Sequence, residues 1–246
     1  MLKLFSGFIL IVIFTSSCKK ESETYNTVSL SDYYPREVGK TITYDLDSIV
    51  YYINFGQRES IIHYQVQDRV DAQIKDNLGR TAYRIVRFIR KNENQAWQPD
   101  NTFVAVPTGN SIEFVENNLR FLKLQQPVKQ DFSWKGNSFI DTYTTFTDLR
   151  YLDKWDYIYD SVNVPLTINS LSFDSTIKIL QRDEFLGQDP SVPGTQYAEK
   201  NYAVEKYAAG VGLIYKEFVH WEYQGPSNQS PGYSGYGVRL SIIDHN

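Results

Sequence analysis

Residues 59–74 read ESIIHYQVQDRVDAQI, in which Ile62, Tyr64, Val66, Val70, Ala72 and Ile74 alternate with His63, Gln65, Gln67, Arg69, Asp71 and Gln73. A period of two places one set on an apolar face and the other in water, the signature of an antiparallel strand with one side covered. Asp68 alone interrupts the apolar face. The preceding stretch, 41–53, has strand composition and is joined to it by a turn at Asn54, Phe55 and Gly56. DNLG at 76–79 then turns the chain into TAYRIVRFIR, both of whose faces mix apolar and charged residues. These three strands predict a meander.

The same spacing continues. Short strands are expected over 102–106, 112–116 and 119–124, with turns at TGN (108–110) and at Asn117 and Asn118. WKGN at 134–137 predicts a turn leading into a strand over 139–147. TDLRYLDKW predicts one short helix, capped by Thr147 or Asp148, with Leu149, Leu152 and Trp155 on one face. Strands over 156–164 and 175–182 precede a Gly- and Pro-rich loop, LGQDPSVPGT. Residues 196–224 predict a hairpin around Ala208–Gly212; the Ala, Glu and Lys of its first arm leave 196–207 open between strand and helix. Its second arm alternates with Leu213, Tyr215, Val219, Trp221 and Tyr223 on one side. A flexible loop, GPSNQSPGYSGYG, is expected before a last strand over 238–243. With no repeat and no linker, 33–246 reads as one all-β antiparallel domain of about ten strands, forming an open or closed barrel, lipocalin-like or a half-barrel, with one short helix.

The first residues follow another logic. Lys3 is followed by the apolar run FSGFILIVIF and then Thr15, Ser16, Ser17 and Cys18. A basic start, a short greasy core and small residues make a secretory signal peptide, and the run is shorter than the ~20 residues a permanent span requires. The cysteine directly after the small residues resembles the bacterial lipoprotein lipobox. Thr15 stands where that motif usually has leucine or another aliphatic residue. The resemblance implies a signal peptide over 1–17, lipidation of Cys18, a tether over 18–32 and anchorage to the outer membrane. Acyl chains contribute about 0.8 kcal/mol per buried methylene, and stable attachment takes more than one. KKESE after the cysteine lacks the aspartate that resembles an inner-membrane retention signal. Its basic-then-acidic order is loosely similar to surface-export tags of Bacteroidota lipoproteins.

Composition narrows the function classes. Cys18 is the only cysteine, so no intramolecular disulfide forms and stability rests on packing. With 25 basic and 29 acidic residues and no concentrated basic face, nucleic-acid binding is excluded as an expectation. Aromatics make up 15% of the chain, with 19 Tyr, 14 Phe and 4 Trp, which suits half-buried pleated surfaces first and ligand platforms second.

Two stretches, YYPREVGKTITY at 33–44 and EKYAAGVGLIYKE at 205–217, resemble a group of uncharacterised Bacteroidota outer-membrane lipoproteins that open and close on such motifs. Where that group usually has Trp after the first glycine, this chain has Ile42. The motifs mark strand starts and turns, so the resemblance implies location and fold and brings no catalytic residue.

Candidate chemistry is sparse. His63, His220 and Glu222 would form a two-imidazole, one-carboxylate set only if their strands met, and the expectation is no metal site. GYSGYG at 232–237 has Tyr236 where a nucleophile elbow needs its last glycine, and it lacks dinucleotide-loop spacing. Asp153, Asp156 and Asp160 lie among Trp155, Tyr157 and Tyr159 without the ligand order of a calcium loop. Asp45 and Asp47 form a similarly isolated pair. No catalytic residue and no cofactor are therefore expected, and the protein is read as no enzyme. The leading reading is a binding or carrier protein for a hydrophobic or amphipathic ligand, with Val86, Ile89, Trp155, Tyr157 and Trp221 as ligand-binding candidates. The others are an accessory envelope lipoprotein acting through protein contacts and a glycan-binding lipoprotein using its aromatic residues.

Overall fold

The computed structural model describes residues 29–34, 37–54, 57–144, 148–225 and 232–246. The predicted signal peptide, Cys18 and the turn residues Phe55 and Gly56 lie outside them.

Twelve strands form one antiparallel sheet: β1 (Thr41–Asn54), β2 (Gln57–Lys75), β3 (Thr81–Arg90), β4 (Gln98–Pro107), β5 (Ser111–Glu116), β6 (Leu119–Gln125), β7 (Ser133–Lys135), β8 (Asp156–Ile168), β9 (Leu171–Gly187), β10 (Tyr197–Ala208), β11 (Gly212–Gln224) and β12 (Gly232–His245). Their order is β6-β5-β4-β3-β2-β1-β12-β11-β10-β9-β8-β7, so the first and last strands pair in the middle of the sheet and its two edges come from mid-chain. The all-β expectation holds, and the sheet curls until its edges nearly meet. Leu122 N–H donates to the Gly136 carbonyl at 2.7 Å, and the Trp134 indole donates to the Leu122 carbonyl at 2.8 Å. On β8, the Tyr159 hydroxyl donates to the Gln125 carbonyl at 2.7 Å. Phe132, Trp134, Tyr157 and Tyr159 fill this seam, the Trp134 and Tyr159 ring centres lying 4.7 Å apart.

Period two gives the barrel its inside. Ile42, Tyr44 and Leu46 of β1, Val66 and Val70 of β2, Ile85 of β3 and Leu240 and Ile242 of β12 are all buried. The intervening Asp45, Asp47, His63, Gln65 and Gln67 form an outer polar face, the reverse of the apolar band a lipid-embedded barrel presents. Among the described residues, no helix is long and apolar enough to cross a membrane. A 3-10 turn, Leu30–Tyr33, enters one end of the barrel, with Leu30 and Tyr33 buried in the main core. A second, Arg150–Leu152, covers the interior from the other end through Leu152 and Trp155.

Three local expectations are corrected, and one alternative left open is resolved. The strand expected over 139–147 is absent from its described part, 139–144; the extended residues come earlier, at Ser133–Lys135, because Trp134 is the side chain that packs inward, while Phe139 and Tyr143 are exposed. The expected helix contracts to one 3-10 turn that begins after Leu149, without a side-chain cap. Residues 197–208 are strand, their Ala, Glu and Lys content overridden by pairing on both sides with β9 and β11. GYSGYG belongs to β12, not to a loop: a Cβ on Gly235 would lie 2.2 Å from the His220 carbonyl, so glycine there permits close strand approach.

The seam yields a test. A Cβ at Gly136 would fall 2.4 Å from the ring of Tyr157, whose hydroxyl is held by the Asn137 side chain at 2.9 Å. Overpacking of this kind costs about 1–3 kcal/mol. Gly136→Ala is expected to lower the thermal midpoint by roughly 3–10 °C, whereas Gly109→Ala, with open space around it, leaves the midpoint unchanged in the same calorimetric scan.

Candidate functional site

The interior holds charge. Asp68, the residue that breaks the apolar face of β2, stands opposite Arg87 of β3, and the two form a bidentate pair at 2.6 and 2.7 Å. Two further pairs cross the lumen. Lys123 of β6 meets Glu205 of β10 at 2.6 Å, with 7% and 2% of their side-chain surfaces exposed. Lys216 of β11 meets both carboxylate oxygens of Glu116 of β5 at 3.0 and 3.1 Å. β5 and β11 stand six places apart in a twelve-strand sheet, so this pair ties opposite walls together. The Tyr207 hydroxyl donates to the remaining Glu205 oxygen at 2.7 Å, and Arg87 lies over the Phe103 ring at 4.7 Å.

Opposite charges around them hold Glu116 and Lys216 ionised. Burial alone would raise the Glu116 carboxyl, but Lys216, Lys123 and Arg87 outweigh it and hold the group down at about 2. Burial pulls the Lys216 ammonium down, and Glu116 and Glu205 reverse that, so it titrates above its ordinary value. Burial pushes the phenols of Tyr157 and Tyr207 well up, and the neighbouring Glu205 adds to it, so both remain protonated donors.

This charged partition separates two spaces. Arg87, Glu116, Lys123 and Lys216 line both. On the side of the first 3-10 turn is a cavity of about 70 Å³ between Tyr34, Tyr44, Phe103, Phe114 and Tyr207. On the other is a chamber of about 250 Å³, walled by Leu46, Phe121, Trp155, Tyr157, Gln181, Phe218 and Val238. At the mouth of the chamber, Tyr151 of the second 3-10 turn stacks on His220 at 3.8 Å and 14° and shares a hydroxyl–hydroxyl bond of 2.8 Å with Tyr236. Tyr236, Val50 and Ile62 continue the inner face outward and are 46%, 43% and 38% exposed. The chamber therefore has a charged floor, apolar walls and an apolar rim.

The sequence candidates divide across the sheet. Trp155 and Tyr157 line the chamber. Ile89 packs from the inner face beside Tyr64 and Val66 but does not line it. Val86 and Trp221 require correction. Val86 alternates with Ile85 and Arg87, which line the interior, and so faces out. Trp221 belongs to a separate outer cluster with Ile49, Tyr51 and Ala198. The histidines do not converge: His63 bonds Asp47 on the outer face at 2.6 Å, and His220 bonds Asn201 on the inner face at 2.7 Å. Asp153, Asp156 and Asp160 take separate partners in Thr142, Lys135 and Lys178. No group of three or more His, Cys, Asp or Glu side chains that could hold a metal occurs among the described residues.

The residues that sequence reasoning missed are Glu116, Lys123, Gln181, Glu205 and Lys216. Lys123 and Gln181 occupy the extra position of register shifts in β6 and β9, and such bulges re-aim a side chain. Asp68 on an otherwise apolar face was the available signal.

No protein-family model matches the chain, and no curated protein matches it. Among solved structures, one of lipovitellin, described by its lipid–protein interactions, aligns over 85% of this chain at 10% identity and a TM-score of 0.37. This chain spans 26% of that one.

The carboxyl of Glu116 makes a pH prediction. Its folded value of about 2 lies below the ordinary 4.5, so its stabilising contribution is complete above about pH 4.5 and is lost as pH falls toward 2. That contribution is on the order of 3 kcal/mol. Urea unfolding at a series of pH values is expected to show a steep loss in this window, and Glu116→Gln is expected to be less stable at pH 7 with a shallower acid limb.

Proposed function

We propose that this protein is a lipid-anchored envelope protein that binds an amphipathic small molecule inside its barrel and performs no chemistry on it. The observation that carries the reading is the chamber with a charged floor, apolar walls and an apolar rim. Burying ion pairs is costly, and apolar replacement of such pairs is often neutral or stabilising. Six interior charges beside an apolar chamber are thus better accounted for by recognition than by stability. Cavities of about 300–1,000 Å³ hold drug-sized ligands. The chamber, at about 250 Å³, takes a head group and the first part of a chain, and the rest follows the rim past Val238 and Tyr236.

The anchor is a proposal of the same kind, supported by the lipobox resemblance at Cys18. The chain enters β1 at the end of the barrel that holds Leu30–Tyr33, while the mouth lies at the end of Val50 and Tyr236. A barrel tethered through its N-terminus presents its mouth at the end away from the tether.

Native mass spectrometry with lipid extraction, on the chain purified without detergent, is expected to detect a discrete co-purifying amphiphile. Val238→Asp, on the chamber wall, is expected to lose it, and Val86→Asp, on the outer face, to keep it. An empty native chain that also binds no added amphiphile overturns the reading. Separately, Cys18→Ser is expected to abolish incorporation of an alkyne fatty acid in growing cells and to release the protein from the membrane fraction.

A further inference from the structure

One polar side chain in the chamber has lost its partner. Gln181 is 4% exposed, lines the chamber, and its amide nitrogen is buried with no hydrogen-bond partner. A buried donor left unpaired costs about 1–3 kcal/mol, and such groups are rare in native proteins. The bulge in β9 places this side chain there at the expense of regular pairing, since Ala203 stands opposite Arg182 and Val204 opposite Leu180.

The rest of the chamber indicates what would satisfy that donor. Its floor carries Arg87, Lys123 and Lys216 against one carboxylate, Glu116, because Asp68 and Glu205 lie behind it against the smaller cavity. An ammonium has three donors, and Lys123 gives one of them to Glu205. The chamber surface is thus cationic and rich in donors, while the six-charge cluster as a whole is neutral. A cationic head group would meet three positive side chains. A dianionic phosphate would add two negative charges, beside Glu116, to a cluster that is neutral as a whole. A single carboxylate fits best: its oxygens accept from Gln181 and from the lysines, and it adds only one charge to the neutral cluster.

We infer that the chamber binds the carboxylate of a fatty-acid-like amphiphile, with the Gln181 amide as a head-group donor beside Lys123 and Lys216. This rests on the amphiphile reading above and narrows it to one head-group class.

The test is calorimetric titration of the full chain carrying Cys18→Ser, without detergent, with decanoate, decanol, decylammonium and acetate. Decanoate is expected to bind at least tenfold more tightly than decanol or decylammonium, with acetate undetectable. Gln181→Leu, which keeps the side chain's volume, is expected to weaken decanoate at least fivefold, to weaken decanol less than decanoate, and to raise the thermal midpoint because the unpaired donor is gone. Should that variant fail to fold, the head-group series on the unmutated barrel decides alone. Equal binding of decanoate and decanol overturns the carboxylate assignment and leaves the carrier reading standing. Binding of acetate as tightly as decanoate overturns the carrier reading and supports a site for free carboxylates. Binding of none of the four overturns both.

Discussion

The barrel's shape depends on charges that meet across its lumen. An isolated ion inside a protein is too costly to keep ionised, so Lys216 and Glu116, on opposite walls, must lie within hydrogen-bond reach of each other. Lys123 and Glu205 impose the same condition from β6 to β10. Together they set the distance between the walls and divide the interior into two unequal spaces. Apolar side chains alone would fill such a lumen with no fixed partition, because their attraction is non-directional. The binding chamber is the space this constraint leaves on one side of the partition.

Much of the sheet was legible because its strands are covered on one face. β1, β2, β5, β6 and the second arm of the β10–β11 hairpin announce themselves by alternation and turn residues. The site was less legible, for two physical reasons. Alternation shows that two faces differ but not which is inside. On β11, Val219, Trp221 and Tyr223 form the more apolar set, yet they face outward with Tyr51 and Tyr233, while Lys216 and Phe218 face the lumen. A bulge also breaks the period at the residue it redirects, which conceals Lys123 and Gln181. Asp68 and the mixed faces of TAYRIVRFIR were the visible trace of the charged interior. They carried meaning only once β2 and β3 were paired with Asp68 opposite Arg87.

The aromatic excess now has three distinct uses. One group, around Trp134 and Tyr159, closes the seam where hydrogen bonding between strands is sparse. A second, with Tyr51, Phe185, Trp221 and Tyr233, packs edge-on and tilted over the outer face where the long strands run past the barrel. The third, Tyr151, Trp155, Phe218 and Tyr236, lines the chamber and its mouth. Large rings suit all three places because each covers much area with few rotatable bonds.

The pairing of β1 with β12 leaves the two ends of the barrel sequence side by side, the Thr41 amide donating to the Asn246 side chain at 2.8 Å. Among the described residues, the break in strand order falls at the crossing from β6 to β7. The barrel is thus a nearly closed meander whose first and last strands and whose sheet edges do not coincide. Rejoining the end of β12 to a point ahead of Leu30 through a linker and opening the chain between β6 and β7 would give a circular permutant in which every strand follows its spatial neighbour. New termini would then fall at the seam, the place where a peptide extension could be carried without crossing the chamber mouth.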